Sequence, residues 1–441
     1  MTTELLSPAG TLKSMRYAFA YGADAVYAGQ PRYSLRVRNN EFNKIENLAS
    51  AIEEAHQQGK QFYLASNLSP HNDKVRSYLR DLEPVIAMKP DALIMSDPGL
   101  IMMVRETWPD QPIHLSVQAN AVNYATVKFW AKQGIERVIL SRELSIDEIE
   151  EIRQQAPEVE LEVFVHGALC IAYSGRCLLS GYMTHRDSNQ GACTNSCRWE
   201  YNAHEAKEND LGDLIAVESD TPKSWSPELD EVSPVLLQEK HRPGEYMPAY
   251  EDEHGTYIMN SKDLRAVQHV ERLVNMGVRS LKIEGRTKSH YYVARTAQIY
   301  RRAIDAAEAG QAFDMQLMNE LEHLANRGYT EGFYRRHVPS EYQNYEKGVS
   351  NNSAQQFVAE ATAYDKASGW LTVDVKNKFE TGNSVELITP QGNLSFSIDA
   401  LENNKGAAID VAPGSGHVVK IQAPGLDLNE SGGYAMLMRH I

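Results

Sequence analysis

Residues 137–149 read Arg137-Val-Ile-Leu-Ser-Arg-Glu143-Leu-Ser145-Ile-Asp-Glu148-Ile149, and residues 161–166 read Leu161-Glu-Val-Phe-Val-His166. The first run is apolar, strand-length and ends in polar residues. Leu144 and Ile149 are spaced as a hydrophobic staple, and Ser145 with Glu148 as a capping box, so a helix starts here. Ile146, Ile149 and Ile152 then share one face of that helix. A second strand-length run follows at 161–166. The stretch is one strand–helix–strand unit. Working outward, strand runs recur at 5–8, 25–29, 62–67, 92–97 and 113–120, with helical segments between them, several closed by Gly22, Gly59 or Gly134. Such alternation predicts a parallel sheet.

After the seventh strand the pattern is interrupted over 167–260. It resumes with a helix at 264–276 closed by Gly277, an eighth strand at 280–285 and a helix at 290–309. Eight units predict an α/β fold, a TIM-like (β/α)8 barrel over 1–310 with one large cysteine-bearing insertion after strand 7. A doubly wound parallel sheet is the alternative, and the count of eight favours the barrel. Residues 311–354 read as a connector. From 355 to 441 short alternating runs are separated by turn signals such as Ser368-Gly369 and Thr381-Gly382-Asn383, which predicts a small separate β-barrel domain.

The chain has 441 residues, 42% apolar and 23% charged, with a mean hydropathy of −0.46. The apolar run at 93–104 is broken by Asp97, Pro98 and Gly99, so no stretch is long enough to span a bilayer. The opening Met-Thr-Thr-Glu lacks a basic leader, and a soluble, cytoplasmic protein is expected. A net charge of −15 argues at first against a polyanionic partner. Residues 200–253 alone carry −11 and residues 355–441 carry −4, leaving the remainder neutral. Nucleic acid is therefore not excluded.

A barrel presents the polar residues at its strand C-termini to the active-site face. Here these are Ser7, Tyr27, Asn67, Asp97, Gln118, Asn120, Arg142, Glu143, His166, Lys282, Glu284 and Arg286. Each alone reads as a satisfied strand end or a helix cap; together they make a charge-mixed mouth. His166, Glu143 and Glu284 are the catalytic candidates among them. Arg32, Arg36 and Arg38 follow strand two, and residues 282–302 hold six basic residues against Glu284 alone. Most such runs are solvated helix faces, but a basic rim at this end suits a carboxylate or phosphate ligand.

Cys170, Cys177, Cys193 and Cys197 are the only cysteines, and all lie within 28 residues. Such clustering favours a metal or cluster site over disulfides. Only the second pair has zinc-ribbon spacing, and four thiolates without histidine suit an iron–sulfur cluster at least as well. A structural zinc site and a Cys170 nucleophile near His166 remain open.

The stretch Glu162-Val-Phe164-Val-His-Gly167-Ala168-Leu169-Cys170, followed by Gly175-Arg176-Cys177-Leu-Leu179-Ser180, resembles the signature of the collagenase-like peptidase family. Leu6-Ser7-Pro8-Ala9-Gly10, Gly22-Ala23-Asp24-Ala25-Val26-Tyr27, Tyr257-Ile-Met-Asn260-Ser-Lys-Asp263, Leu281-Lys282-Ile-Glu284-Gly285-Arg286 and Arg327-Gly328-Tyr329-Thr330 are also similar to its members. The resemblance covers nearly the whole chain, with residues 200–253 the least matched. It implies a 4Fe–4S cluster on Cys170, Cys177, Cys193 and Cys197. It further implies oxygen-independent hydroxylation of carbon 5 of a wobble uridine in the tRNA anticodon loop, with prephenate as co-substrate. Arg32, Arg36, Arg142, Lys282 and Arg286 are the candidate prephenate contacts, since guanidinium forks match carboxylates. A flipped uridine would sit in the barrel mouth, with Tyr291 and Tyr292 as stacking candidates whose plainer reading is core packing. Two competing readings are a peptidase, against which the chain lacks HExxH and GxSxG motifs, and a non-enzymatic RNA-binding scaffold with structural zinc.

Overall fold

The computed structural model describes residues 2–35, 40–169, 263–324, 328–335, 355–423, 425–429 and 432–440, with Tyr173, Cys177 and Ser196; short backbone strands within 201–256 complete it. Eight parallel strands form the barrel. They are β1 (Glu4–Pro8), β2 (Ala25–Gly29), β3 (Gln61–Ser66), β4 (Ala92–Met95), β5 (Ile113–Leu115), β6 (Arg137–Ile139), β7 (Glu160–Ala168) and β8 (Ser280–Ile283). Each pairs with the next, and β8 pairs with both β7 and β1, so the sheet closes. The flanking helices are α1 (Leu12–Ala20), α2 (Ile45–Gln57), α3 (Asn72–Ile86), α4 (Pro98–Thr107), α5 (Tyr124–Lys132), α6 (Ile146–Gln155), α7 (Val270–Asn275) and α8 (His290–Glu308). The doubly wound alternative is thereby excluded.

Local signals act where they stand. Ser145 and Glu148 form the reciprocal capping box at the start of α6, and Ile146, Ile149 and Ile152 are buried beneath it. Several predicted strands end early because their polar tails leave the ladder, the eighth at Ile283 rather than 285. Asp97 caps α4 by accepting from the Leu100 N–H. Val117–Ala119 forms a 3-10 turn ending at Asn120 in the left-handed region. Residues 141–143 form the loop after β6. The predicted start of the helix at 264–276 is instead a strand, Asp263–Arg265, which pairs antiparallel with the end of β7 as the chain returns from the insertion. Tyr329–Thr330, within the predicted connector, adds to that strand in parallel.

One irregularity decides the orientation of β7. Lys282 of β8 lies opposite Phe164, but the next residue, Ile283, lies opposite His166. Val165 is thus an extra residue, a bulge, and a one-residue slip turns following side chains to the other face. Phe164 faces the barrel interior and His166 faces the helices.

The C-terminal domain is an eight-stranded antiparallel sheet with its own apolar core, which includes Val373, Phe379, Leu387 and Ile421. It docks on α1 and α8. Glu360 takes hydrogen bonds from Tyr17 Oη and Lys13 Nζ, both at 2.5 Å. Tyr21 Oη donates to Ile388 O at 3.0 Å, and Gln298 Nε2 donates to Thr389 O at 2.9 Å. Ile388, Met436 and Met438 pack into the barrel's apolar cluster. Among the described residues, no helix is long and apolar enough to cross a membrane.

Candidate active site

Barrel interiors are ordinarily filled by branched aliphatic side chains. This one holds a column of charge. Glu4 Oε1 of β1 lies 2.6 Å from Arg137 Nη1 of β6, which lies 3.4 Å from Glu162 Oε2 of β7. Glu162 Oε1 in turn lies 2.7 Å from Lys282 Nζ of β8. Tyr63 Oη and Ser280 Oγ also donate to Glu4, at 2.6 and 2.7 Å. Side chains from five strands can meet this way only on the barrel axis. All four ions are almost fully buried. Burial would cost several kcal/mol per ion if unpaired, so the alternation of sign is what makes the column tolerable. Glu4 feels burial raising its pKa, but Arg137 and the hydrogen bonds win and hold it below the ordinary carboxylate range. Burial pulls the Lys282 pKa down, and Glu162 opposes that pull.

The upper, positive end of the column lies under the mouth. Lys282 Nζ is bracketed by the rings of Tyr27 and Phe164, at 4.3 and 5.4 Å from their centroids. The Arg142 guanidinium lies over the same Phe164 ring at 4.0 Å, and Arg286 stands 5.9 Å from Tyr27. Cations and aromatic rings therefore alternate across the floor, an arrangement attractive to both partners. Arg142 Nη1 donates to Ala168 O at 2.9 Å, at the last residue of β7. Arg286 donates to Ser34 Oγ at 2.7 Å and to Leu35 O, clasping the loop after β2. Gly29 makes room for that clasp: a Cβ there would lie 2.6 Å from Arg286 Nη1. Gly167 adopts φ +105°, and a Cβ would lie 2.5 Å from Glu284 O, so the chain can leave β7 at this point only as glycine.

The site candidates divide accordingly. Glu143, half-buried, accepts from Ser141 Oγ, and buried Glu284 closes β8; both stand at the mouth. His166 does not. It is 1% exposed in the helix layer, ringed by Tyr292, Tyr300 and Tyr329, with Nδ1 3.3 Å from Tyr300 Oη. Burial, with Arg265 and Lys288 nearby, lowers its pKa to about 3, so it is a neutral packing group at pH 7. This corrects its expected place at the mouth; the bulge is the reason. Of the cation candidates, Lys282 is committed to Glu162, while Arg32 points outward to Asp81 at 2.7 Å. Arg142 and Arg286 remain at the rim. Arg36 lies outside the described residues, as do Cys170, Cys193 and Cys197. Cys177 is described and half-buried. Among the described residues no three metal-ligating side chains gather. Tyr291 and Tyr292 are buried, the first stacked on Phe357 and the second donating to Glu284 O at 2.8 Å. Sequence reasoning missed the column, although Glu4, Arg137 and Glu162 were visible as charges inside otherwise apolar strand runs.

The family model described as Peptidase family U32 matches residues 10–344, and that of the Peptidase family U32 C-terminal domain matches residues 353–439. The chain belongs to peptidase family U32. This U32 chain is 63% identical over 443 residues to tRNA hydroxylation protein P of Escherichia coli, covering 99% of this chain and 96% of that one. It is 61% identical over 446 residues to tRNA hydroxylation protein P of Haemophilus influenzae, with the same coverage of 99% and 96%. A more distant relative is the 23S rRNA 5-hydroxycytidine C2501 synthase of Escherichia coli, at 29% identity over 90% of this chain and 54% of that one. The near relatives are named for RNA hydroxylation, and the word peptidase is carried by the family description.

Proposed function

We propose that this chain is a tRNA-modifying enzyme that hydroxylates carbon 5 of the wobble uridine, in the cytoplasm and without molecular oxygen, using prephenate as co-substrate. The observation that carries the tRNA reading is 63% identity along essentially the whole length of a tRNA hydroxylation protein. The barrel mouth supports it, since a basic rim over aromatic rings suits a flipped base on a polyanionic backbone. Anticodon-loop bases are already partly unstacked, which lowers the cost of extraction. Prephenate, a dicarboxylate, needs a guanidinium partner, for which Arg36 and the third guanidinium nitrogen of Arg286 are the candidates left. Cys170, Cys177, Cys193 and Cys197 supply the soft thiolate donors that a 4Fe–4S cluster requires, and β7 ends two residues before the first of them. When bound, the cluster supplies one-electron chemistry that no side chain offers. The remaining work falls to the chain's own residues: Arg286 fixes the loop after β2 at the rim, and Glu162 holds Lys282 Nζ at 2.7 Å beneath the floor.

The test is nucleoside mass analysis of tRNA from a strain lacking its own hydroxylation genes. Expression of this chain restores 5-hydroxyuridine derivatives; unchanged tRNA overturns the assignment. Anaerobic purification with iron, sulfide and zinc assays separates the cluster from structural zinc, and a colourless zinc protein sinks the cluster.

A further inference from the structure

Among the buried, unpaired polar atoms at the strand ends, two stand on neighbouring loops. Arg142 Nε–H meets no acceptor, although Nη1 is tied to Ala168 O at 2.9 Å and the guanidinium rests on Phe164 at 4.0 Å. Gln118 Oε1 meets no donor, although the Gln118 backbone is pinned by Ser116 Oγ at 3.5 Å and by Asn120 Nδ2 at 2.9 Å. Gln118 follows β5 and Arg142 follows β6, and the two loops are clasped by Ser141 N–H donating to Ala121 O at 3.1 Å. One orphan donor and one orphan acceptor, each on fixed backbone, are costly unless a ligand satisfies both.

We infer that Arg142 and Gln118 together read the uracil edge, which makes them the specificity-determining residues of the proposed reaction. Uracil presents N3–H, a donor, beside O4, an acceptor; cytosine presents an acceptor and an amino donor in the same places. Gln118 Oε1 accepts a hydrogen bond from N3–H, and Arg142, which can only donate, donates Nε–H to O4. The order of atoms agrees with the order of strands. Around the base the sequence is N3, C4 with its oxygen, then C5. Around the mouth it is Gln118 after β5, Arg142 after β6, then Ala168 at the end of β7, where the cysteine-bearing segment begins. A base read this way turns C5 toward that exit. A small carboxylate group fits less well: its oxygens satisfy Arg142 but offer no donor to Gln118. The other rim cation, Arg286, already spends both terminal nitrogens on Ser34 and Leu35.

The inference rests on the tRNA uridine reading, so the experiment measures binding rather than turnover. Anticodon stem-loops with uridine or cytidine at the target position are titrated into the holoprotein, Arg142→Met, Gln118→Met and Arg142→Lys. The wild type prefers uridine by at least about tenfold, each Met variant brings that preference below about threefold, and Arg142→Lys keeps most of it. Equal salt dependence of binding in all four proteins shows that the phosphate contacts and the fold survive. A wild type without preference, or Met variants that keep it, overturns the inference. So does Arg142→Met losing prephenate binding in calorimetry while retaining the preference for uridine. Stem-loops bound selectively but never hydroxylated would overturn the proposed activity and leave the reading of the base standing.

Discussion

His166 lies four residues before the first cysteine, and replacing it tests whether the β7 bulge has turned it from chemistry to packing. The ring is 1% exposed and its pKa falls from 6.5 to about 3, chiefly through burial. The folded-state value is below the unfolded one, so the unfolded chain takes up a proton from about pH 6.5 downward that the native chain refuses until about pH 3. Stability from this group is therefore intact above pH 6.5 and declines by about 1.4 kcal/mol for each pH unit below it. Between pH 7 and pH 5 the loss is about 2 kcal/mol. His166→Gln removes the titration. Urea unfolding of both proteins at pH 7, 6 and 5, followed by circular dichroism, isolates it because the other groups cancel in the difference. The wild-type advantage over the variant should shrink by about 2 kcal/mol on going to pH 5. The variant should still hydroxylate tRNA at pH 7. A difference in stability that does not change with pH, or a folded variant without activity, refutes the reasoning.

Two further outcomes follow from the buried charges. Lys282→Met leaves Glu162 without its ammonium and should cost about 3–5 kcal/mol in urea unfolding, while Lys282→Met with Glu162→Met recovers most of that; a double-variant loss equal to the sum of the two single losses would show that the pair is not coupled. Burial raises the Glu360 pKa, but hydrogen bonds from His290, Lys13 and Tyr17 win and hold it at about 2, against an ordinary 4.5. Its contribution to docking of the C-terminal domain is thus present above about pH 4.5 and is lost as pH falls toward 2; hydrogen exchange at the junction should rise over that window in the wild type and stay flat in Glu360→Gln.

The barrel was legible because its signals are local and repeated. The capping box at Ser145, the glycine stops and the apolar runs each work within a few residues, and eight such units leave little choice of closure. The antiparallel return at Asp263–Arg265 was not legible, since its partners, the end of β7 and Tyr329–Thr330, are far away in sequence. The mouth was legible as a set of strand-end residues but not in its pairing. Lys282 and Arg32 looked as available as Arg142, and only the packed structure shows Glu162 and Asp81 beside them. His166 was misplaced because strict alternation cannot anticipate an extra residue at Val165. The charged column was written in the strands as Glu4, Arg137 and Glu162, and their meeting on the axis needed the closed sheet.

The central claim is that the mouth of this barrel adds an oxygen atom to a tRNA uridine. The most direct measurement is mass analysis of the wobble nucleoside of tRNA from an anaerobically grown strain that lacks its own hydroxylation genes and expresses this chain. The wobble nucleoside should be heavier by one oxygen with the wild type and unmodified with Cys193→Ala. An unchanged nucleoside with cluster-loaded wild-type protein, or equal hydroxylation by Cys193→Ala, would contradict that claim.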